Sequence, residues 1–393
     1  MLVFLAIALS IFGLVNFYIG RRGAQALAAY PAARTVFLVL FIAAALSYPL
    51  ARVLRALAGD IPSSWLIRAG SFQMVVMLYG FLAVIAIDLV RLVNAFVPFL
   101  PRALTASSGR TGLVLFLAVT GAIALTIVAG AWNAAHPRIV ELELHLPRRA
   151  GTAEHLTAVV ASDLHLGTLI GPSRLATVVE KINALDPDIV FFPGDIVDET
   201  VTDKVEAQLS VVMKKLHAPL GLFAVPGNHE FYSGLERALA CLRACGITVL
   251  EDQAVRVADS FVLLGRRDRS SLTPGEKRVS IADILAIDRL NESLPVILLD
   301  HQPAHLEEAE QAGVSLQISG HTHAGQLFPL DIVNRLVWEL NWGEMRKGQT
   351  QYYVTSGVGT WGPPVRTGSR PELVRIEIRF DRTGGERSPR SDH

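Results

Sequence analysis

Four long apolar runs in the first 135 residues constrain this chain more than any other feature of its sequence. They cover residues 1–20, 35–51, 69–87 and 111–135. A membrane-spanning helix needs about 20 predominantly apolar residues, and only the second run is clearly shorter and contains Pro49. A cleaved secretory signal is the alternative for the first run, but its basic pair Arg21-Arg22 follows the apolar stretch instead of preceding it. We therefore expect residues 1–135 to form an all-α transmembrane region of about four helices.

The distribution of charge divides the sequence into two parts of different character. Residues 1–135 carry nine Arg and two Asp but no Lys, Glu or His, so the remaining residues have a net charge of −7 and hold all eleven His. If the N-terminus lay outside the cell, two of the three Arg-bearing loops would face the cytoplasm. Cytoplasmic loops of membrane proteins carry an excess of positive charge. Four spans would then return the rest of the chain to the outer face. The sequence thus predicts a multi-pass protein of a bacterial-type cell membrane with its polar half outside.

The polar half, residues 139–380, has the pattern of an α/β domain. Short β-rich runs alternate with amphipathic helical stretches, which is typical of layered α/β folds. Ligands of such folds collect where the strands end at their carboxyl side. The last residues, 381–393, lack an apolar period and are predicted to be a disordered tail.

Polar side chains with metal-binding chemistry follow five of the predicted strands. They are Asp163-Leu164-His165, Gly194-Asp195 with Asp198, Gly227-Asn228-His229-Glu230, His301, and Gly320-His321-Thr322-His323. Nitrogen and oxygen ligands without a thiolate favour a pair of divalent metal ions, of the kind that hydrolyses phosphate esters. The two cysteines, Cys241 and Cys245, form no zinc-type cluster. We therefore predict two divalent metal ions, with manganese, iron and zinc all compatible.

The residue types suggest separate roles within this site. Asp195 is the candidate for bridging two cations, because a carboxylate has two oxygens. His229 follows the candidate ligand Asn228 and could act as general acid or stabilise charge on the phosphoryl oxygens. Arg366 and Arg370 are candidates for binding substrate phosphate, since guanidinium groups match phosphate oxygens, although a solvated Arg beside a strand is the alternative. Glu230 is expected to be a helix cap or an orienting partner.

In this order, the motifs closely resemble those of the calcineurin-like metallophosphoesterase superfamily. The segment 355–366, with Arg370-Pro371-Glu372, resembles the branch of bacterial membrane-associated phosphodiesterases. The order of regions along the chain, four helices followed by this domain, resembles that of the transmembrane proteins with a metallophosphoesterase domain. The resemblance implies a four-layer αββα sandwich and a catalytic role for His229. It also implies two ligand sets, one of Asp163, His165, Asp195 and His323 and the other of Asp195, Asn228, His301 and His321.

These observations predict a membrane-anchored phosphodiesterase, in which a metal-bridged hydroxide attacks phosphorus. The expected partners are the lipid bilayer and a lipid-linked or cell-envelope phosphodiester, because an enzyme with its own membrane helices acts most simply on a substrate nearby. No nucleic acid is expected. Two alternatives stay open: a hydrolase of the UDP-2,3-diacylglucosamine pyrophosphate type, whose substrate lies on the cytoplasmic side, and a non-catalytic metal-binding membrane sensor module.

Overall fold

A computed structural model of the protein describes residues 2–58, 64–148, 153–198, 201, 203–273, 275–287 and 294–382. The chain divides into two compact units. One comprises Met1–Trp132 with Gly362–Pro364, and the other comprises Asn133–Trp361 with Val365–His393. The first unit is helical, whereas the second is a mixed α/β structure, as the change in sequence pattern predicted.

The described part of the first unit consists of five helices. They are α1 (Leu2–Ala26), α2 (Pro31–Ala58), α3 (Ser64–Phe96), α4 (Arg102–Thr105) and α5 (Gly109–Ala135), the last ending in the second unit. Within the described residues, three helical segments are long and apolar enough to cross a membrane: Pro31–Arg55, Trp65–Phe96 and Gly109–Ala135. The second apolar run, which Pro49 appeared to shorten, is therefore part of a full-length helix. The four spans and the outer-face orientation stay predictions.

Asp88 of the helical unit is paired with two arginines. It lies well inside α3, because this helix continues beyond the apolar run 69–87 to Phe96. Its carboxylate contacts Arg22 of α1 at 2.5 Å and Arg91 at 3.4 Å, and it accepts a hydrogen bond from Tyr18 at 2.5 Å. Charges within apolar helices are costly unless they are paired, so this cluster fastens α1 to α3.

Twelve strands are found among the described residues of the second unit. They are β1 (Arg138–Arg148), β2 (His155–Val160), β3 (Ile189–Pro193), β4 (Leu222–Val225), β5 (Thr248–Val249), β6 (Gln253–Val257), β7 (Phe261–Gly265), β8 (Val296–Leu299), β9 (Leu316–Ser319), β10 (Gly343–Lys347), β11 (Thr350–Val354) and β12 (Glu372–Arg382). They form two six-stranded sheets, in the orders β1-β12-β2-β3-β4-β5 and β10-β11-β9-β8-β7-β6. Strands β2 to β5 are parallel in the first sheet, and β7, β8, β9 and β11 are parallel in the second.

Six further helices accompany these sheets. They are α6 (Pro172–Asn183), α7 (Asp203–Met213), α8 (Asn228–Ala244), α9 (Ile281–Ile287), α10 (Glu307–Gln311) and α11 (Leu330–Val337). Strand β12 continues through Arg382, two residues into the predicted tail, and the rest of that tail, 383–393, lies outside the described residues.

Three apolar cores show that the elements are stacked in four layers. One core packs α6, α7 and α8 against the first sheet, where Phe192 contributes. The middle core lies between the sheets and contains Phe191 and Ile297. The third packs α9 and α10 against the second sheet, through residues such as Leu298. Adjacent residues of β3 thus enter different cores because successive side chains of a strand point to opposite faces. The predicted αββα sandwich is confirmed.

Burial on both faces explains why the central strands could be predicted from the sequence. Every residue of β3, β4, β8 and β9 is buried, so each strand appears as a continuous apolar run. The edge strands β1, β6 and β10 carry charged residues and were not predicted. Strand β1 also depends on a distant partner, since it pairs in parallel with β12 from Arg138 opposite Glu372.

Candidate metal centre

The predicted site residues follow the carboxyl ends of strands from both sheets. Asp163 and His165 follow β2, Asp195 follows β3, Asn228 and His229 follow β4, His301 follows β8, and His321 and His323 follow β9. Parallel strands bring these ends to one edge of each sheet. The seven predicted metal ligands consequently come together, as the distances below show.

The first ligand set is a group of buried imidazoles and carboxylates. The Nε2 atoms of His165 and His323 lie 3.0 Å apart. Nε2 of His323 is 3.4 Å from Oδ1 of Asp163, and Nε2 of His165 is 3.8 Å from Oδ2 of Asp195. Asp163, His165 and His323 present ligand atoms that all lie within 4.8 Å of one another.

The second ligand set shares Asp195 with the first. Nε2 of His301 lies 3.1 Å from Oδ2 of Asp195 and 3.2 Å from Oδ1 of Asn228. Nδ1 of His321 lies 2.8 Å from the same Asn228 oxygen and 3.3 Å from Nε2 of His301. The Oδ2 atom of Asp195 therefore faces both sets, which is the position that a bridging carboxylate requires.

The spacing of the imidazole nitrogens fits a divalent metal ion in each set. Two nitrogens bound to one ion at about 2.0–2.1 Å stand roughly 2.8–3.4 Å apart at angles between 90° and 109°. The closest nitrogen pairs here, 3.0 Å in the first set and 3.3 Å in the second, fall in that interval. Oxygen and nitrogen donors without thiolate suit manganese, iron or zinc. His165, Asp195 and His229 form a third group of this kind, but Nδ1 of His229 already contacts Asp198.

Burial and neighbouring charges shift the titration of the carboxylates in the two sets. Burial raises the pKa of Asp163. Although burial also acts to raise the pKa of Asp195, His301 and His165 outweigh it and hold that pKa well below its usual range. Burial acts to lower the pKa of His301, but the charge and hydrogen bond of Asp195 raise it overall. Asp195 and His301 therefore favour each other's charged form.

The buried carboxylate of Glu230 fixes the loop that carries Asp195. Oε2 accepts hydrogen bonds from the N–H groups of Asp195 and Gly227, at 3.0 and 2.7 Å. Oε1 accepts from those of Ile196 and Val197, at 2.7 and 2.9 Å. Glu230 is thus the helix cap that the sequence suggested, and it also joins the end of β3 to the end of β4. No local sequence pattern indicates this second role, because three of the four donors lie more than thirty residues away.

Glycines at the centre permit a close approach of the loops. A Cβ atom on Gly227 would lie 2.2 Å from Oδ1 of Asp195, which is impossible without a shift of the bridging group. Gly194 adopts φ = 90° and lies against the ring of His301, a conformation that L side chains rarely adopt. The glycines of these two motifs are therefore required by the packing around Asp195.

Hydrogen bonds set the orientation of the imidazoles. Nδ1 of His301 donates to the carbonyl of Pro193 at 2.7 Å, which leaves Nε2 as the nitrogen available to a metal. Asp198 contacts Nδ1 of His165 at 3.3 Å and Nδ1 of His229 at 2.5 Å. Burial acts to lower the pKa of His229, but the bond to Asp198 raises it overall. His229 is therefore held in place and favoured in its protonated form.

The two arginines predicted to bind substrate occupy different environments. Arg366 is buried, and its guanidinium donates to the carbonyls of Ser356 and Gly359 and to Nδ1 of His323 at 3.0 Å. Burial lowers the pKa of Arg366 to about 9. Arg370 is exposed. Neither is among the described residues that line the cavity over the centre, and the contacts of Arg366 are those of a residue that positions His323.

Five of the site residues have left-handed backbone conformations. Their φ angles are 57° for Asp163, 49° for His165, 54° for Asp195, 71° for His321 and 50° for His323. This conformation costs roughly 1–2 kcal/mol for each residue with a Cβ atom, and strained residues of this kind cluster at functional sites. The packed cores and hydrogen bonds around the centre must therefore hold these residues in place.

Comparison with known proteins connects this geometry to a family. The family model for calcineurin-like phosphoesterases matches residues 156–325. An uncharacterized metallophosphoesterase of Aquifex aeolicus (strain VF5) is 37% identical over 56% of this chain and 83% of its own. One from Helicobacter pylori (strain ATCC 700392 / 26695) is 34% identical over 62% of this chain and 64% of its own. A transmembrane protein with metallophosphoesterase domain from Danio rerio is 34% identical over 68% and 62%. The matches span less than two thirds of the last two relatives.

The role of Glu230 predicts a large effect for an isosteric substitution. In Glu230→Gln an amide NH2 replaces one of the accepting oxygens and faces two N–H groups, which lose their acceptor. Each buried unsatisfied donor costs about 1–3 kcal/mol, so we expect a clear fall in the thermal unfolding temperature of the purified chain. The matched control is Glu236→Gln, an exposed position of the same helix. Equal melting temperatures for the two variants would contradict this role.

Proposed function

This chain belongs to the calcineurin-like phosphoesterase family, as its motifs predicted, and on that premise we propose that it is a membrane-anchored phosphodiesterase with a binuclear metal centre. The family implies a metal-dependent phosphoester hydrolase. The observation that carries the proposal is the meeting of two ligand sets at Oδ2 of Asp195, with His229 beside them. A pair of cations at that position is the arrangement used for in-line displacement at phosphorus.

The proposed ligands divide between two ions. Asp163, His165, Asp195 and His323 would hold one, and Asp195, Asn228, His301 and His321 would hold the other. Two bound ions would lower the pKa of an attacking water and neutralise charge on the phosphoryl oxygens. The protein contributes the fixed spacing of the donors and their burial, so that no reorganisation is needed when substrate enters.

His229 is the proposed general acid. It lines the cavity over the centre, and its ring centroid lies 4.6 Å from that of His165. Asp198 holds Nδ1 and raises the pKa of the ring, which favours the charged imidazolium, in which Nε2 also carries a proton. That proton can stabilise the leaving oxygen of a phosphodiester as the ester bond breaks.

The lining of the cavity supports a diester substrate. The cavity has a volume of about 420 Å³, and neither Lys nor Arg is among the described residues that line it. A monoester dianion has terminal oxygens that such side chains usually bind, whereas a diester carries one negative charge and two ester groups. Tyr232, Leu330 and Trp361 line the cavity instead, and they suit a substrate with organic groups on both sides of phosphorus.

The helical unit supports a substrate at the membrane. Three helices are long and apolar enough to cross a bilayer, and a relative from Danio rerio is named as a transmembrane protein. We propose that these helices anchor the enzyme in the cell membrane, with the metal centre on the outer face. The substrate would be a lipid-linked or cell-envelope phosphodiester.

Hydrolysis by the detergent-purified full chain tests the reaction class. After chelation and reloading with manganese, we expect turnover of an aryl phosphodiester to exceed that of the matching monoester by about tenfold or more, because the described lining of the cavity contains neither Lys nor Arg. Asp195→Asn should lose this turnover, since it weakens both ligand sets. The exposed Asp259→Asn is the control. Preference for the monoester would contradict the diester assignment, and metal binding without any turnover would support the sensor alternative.

The leaving group tests the role of His229. We expect His229→Ala to slow hydrolysis of a diester with an alkyl leaving group by about 10²–10⁴-fold, the usual contribution of general acid catalysis. Hydrolysis of a nitrophenyl diester should slow much less, because nitrophenolate leaves without a proton. Rates should be compared at equal metal content. An equal loss for both substrates would show that His229 does not protonate the leaving oxygen.

A further inference from the structure

Helix α11 (Leu330–Val337) turns its apolar side away from the protein. Its five apolar residues cover about half of the helix circumference, and none of its residues is buried. Leu336 and Val337 are 83% and 66% exposed, and Leu330, Ile332 and Val333 are exposed as well. Soluble proteins rarely expose a contiguous apolar patch of this kind unless it binds something.

The polar side of α11 is the side that contacts the protein. Asn334 donates a hydrogen bond to the carbonyl of Thr322 at 2.7 Å. The first turn lies so close to the loop after His323 that a Cβ on Gly325 would come within 2.2 Å of the backbone of Asp331. The helix is therefore fixed by its polar face, and its apolar face points outward as part of the folded structure.

The apolar face of α11 adjoins the entrance of the metal centre. Leu330 and Asn334 line the same cavity as His229 and His321. Trp361 and Tyr232, 56% and 66% exposed, complete an aromatic and apolar rim around it. A molecule that enters the cavity from this side passes directly over the apolar face.

We propose that α11 lies in the interfacial layer of a lipid bilayer and that the metal centre takes up phosphodiester head groups from that layer. The second half of this statement rests on the proposed function, whereas the first half does not. A helix of eight residues is about 12 Å long, too short to span a membrane, so its apolar side would lie in the plane of the interface.

The connection of the chain to a candidate membrane span favours a lipid bilayer as the binding partner of the apolar face of α11. The candidate span Gly109–Ala135 is followed by β1, which begins at Arg138. Three residues of extended chain cover about 10 Å, so the α/β unit starts within that distance of the end of a candidate span. Tryptophan and tyrosine at the rim are the residues enriched at membrane interfaces.

The depth of a spin label on α11 tests the proposal in the full chain. We would place a nitroxide at Leu336→Cys and reconstitute the protein in vesicles of phosphatidylcholine and phosphatidylglycerol. Cys241 and Cys245 are buried, and labelling of the unchanged chain measures their background. The matched control is Val211→Cys on α7, an apolar position that is 66% exposed. We expect collisions with oxygen, relative to those with a water-soluble nickel complex, to be at least about tenfold more frequent at 336 than at 211.

Three outcomes would contradict the proposal that α11 lies in the interfacial layer of a bilayer. Equal collision ratios at the two positions would place α11 in water. Dipolar broadening at 336 that disappears on dilution with unlabelled protein would assign the face to a second copy of the chain. Low access to both reagents without broadening would show that another part of the same chain covers the helix.

Uptake from the bilayer needs a separate measurement. We expect the double variant Leu336→Asp with Val337→Asp to lower hydrolysis of a diester carried by a vesicle lipid, relative to a soluble aryl diester, by about tenfold. Val211→Asp should leave this ratio unchanged, and an unchanged ratio in the double variant would overturn uptake through α11. If the unaltered chain hydrolysed neither diester, the proposed function would fail. The depth of the spin label would still show whether α11 lies in the bilayer interface.

Discussion

The carboxylate of Asp195 is the group on which both ligand sets depend. Its Oδ2 atom faces His165 on one side and His301 on the other, while Oδ1 accepts the N–H of His229. Glu230 fixes its backbone with a hydrogen bond from the Asp195 N–H. A buried carboxylate is stable only when its charge is compensated, so the sandwich must bring imidazoles or cations to it from both sheets.

This requirement explains the architecture around the centre. Parallel strands of the two sheets end at a common place, and the ligands lie two to five residues beyond the ends of these strands. Positions so close to a strand end leave the backbone little freedom, and Asp163, His165, Asp195, His321 and His323 all take left-handed backbone conformations. The fully buried strands and the three apolar cores provide the stability that holds this strain.

The sequence indicated the centre well because its ligands follow apolar runs that are buried on both faces. It indicated other features poorly for identifiable reasons. Strand β1 carries charges and pairs with β12, more than two hundred residues away. The spacing of apolar residues in α11 defines a face but not the direction in which that face points. The burial of Arg366 depends on carbonyl groups of its own loop and on His323, which no local pattern reveals.

Anomalous diffraction from crystals of the full chain soaked in manganese tests the central claim most directly. We predict two peaks about 3.5–4 Å apart, one beside His165 and His323 and the other beside His301 and His321, with Asp195 between them. A single peak, or a peak bound by His229 in place of His323, would contradict a binuclear centre bridged by Asp195.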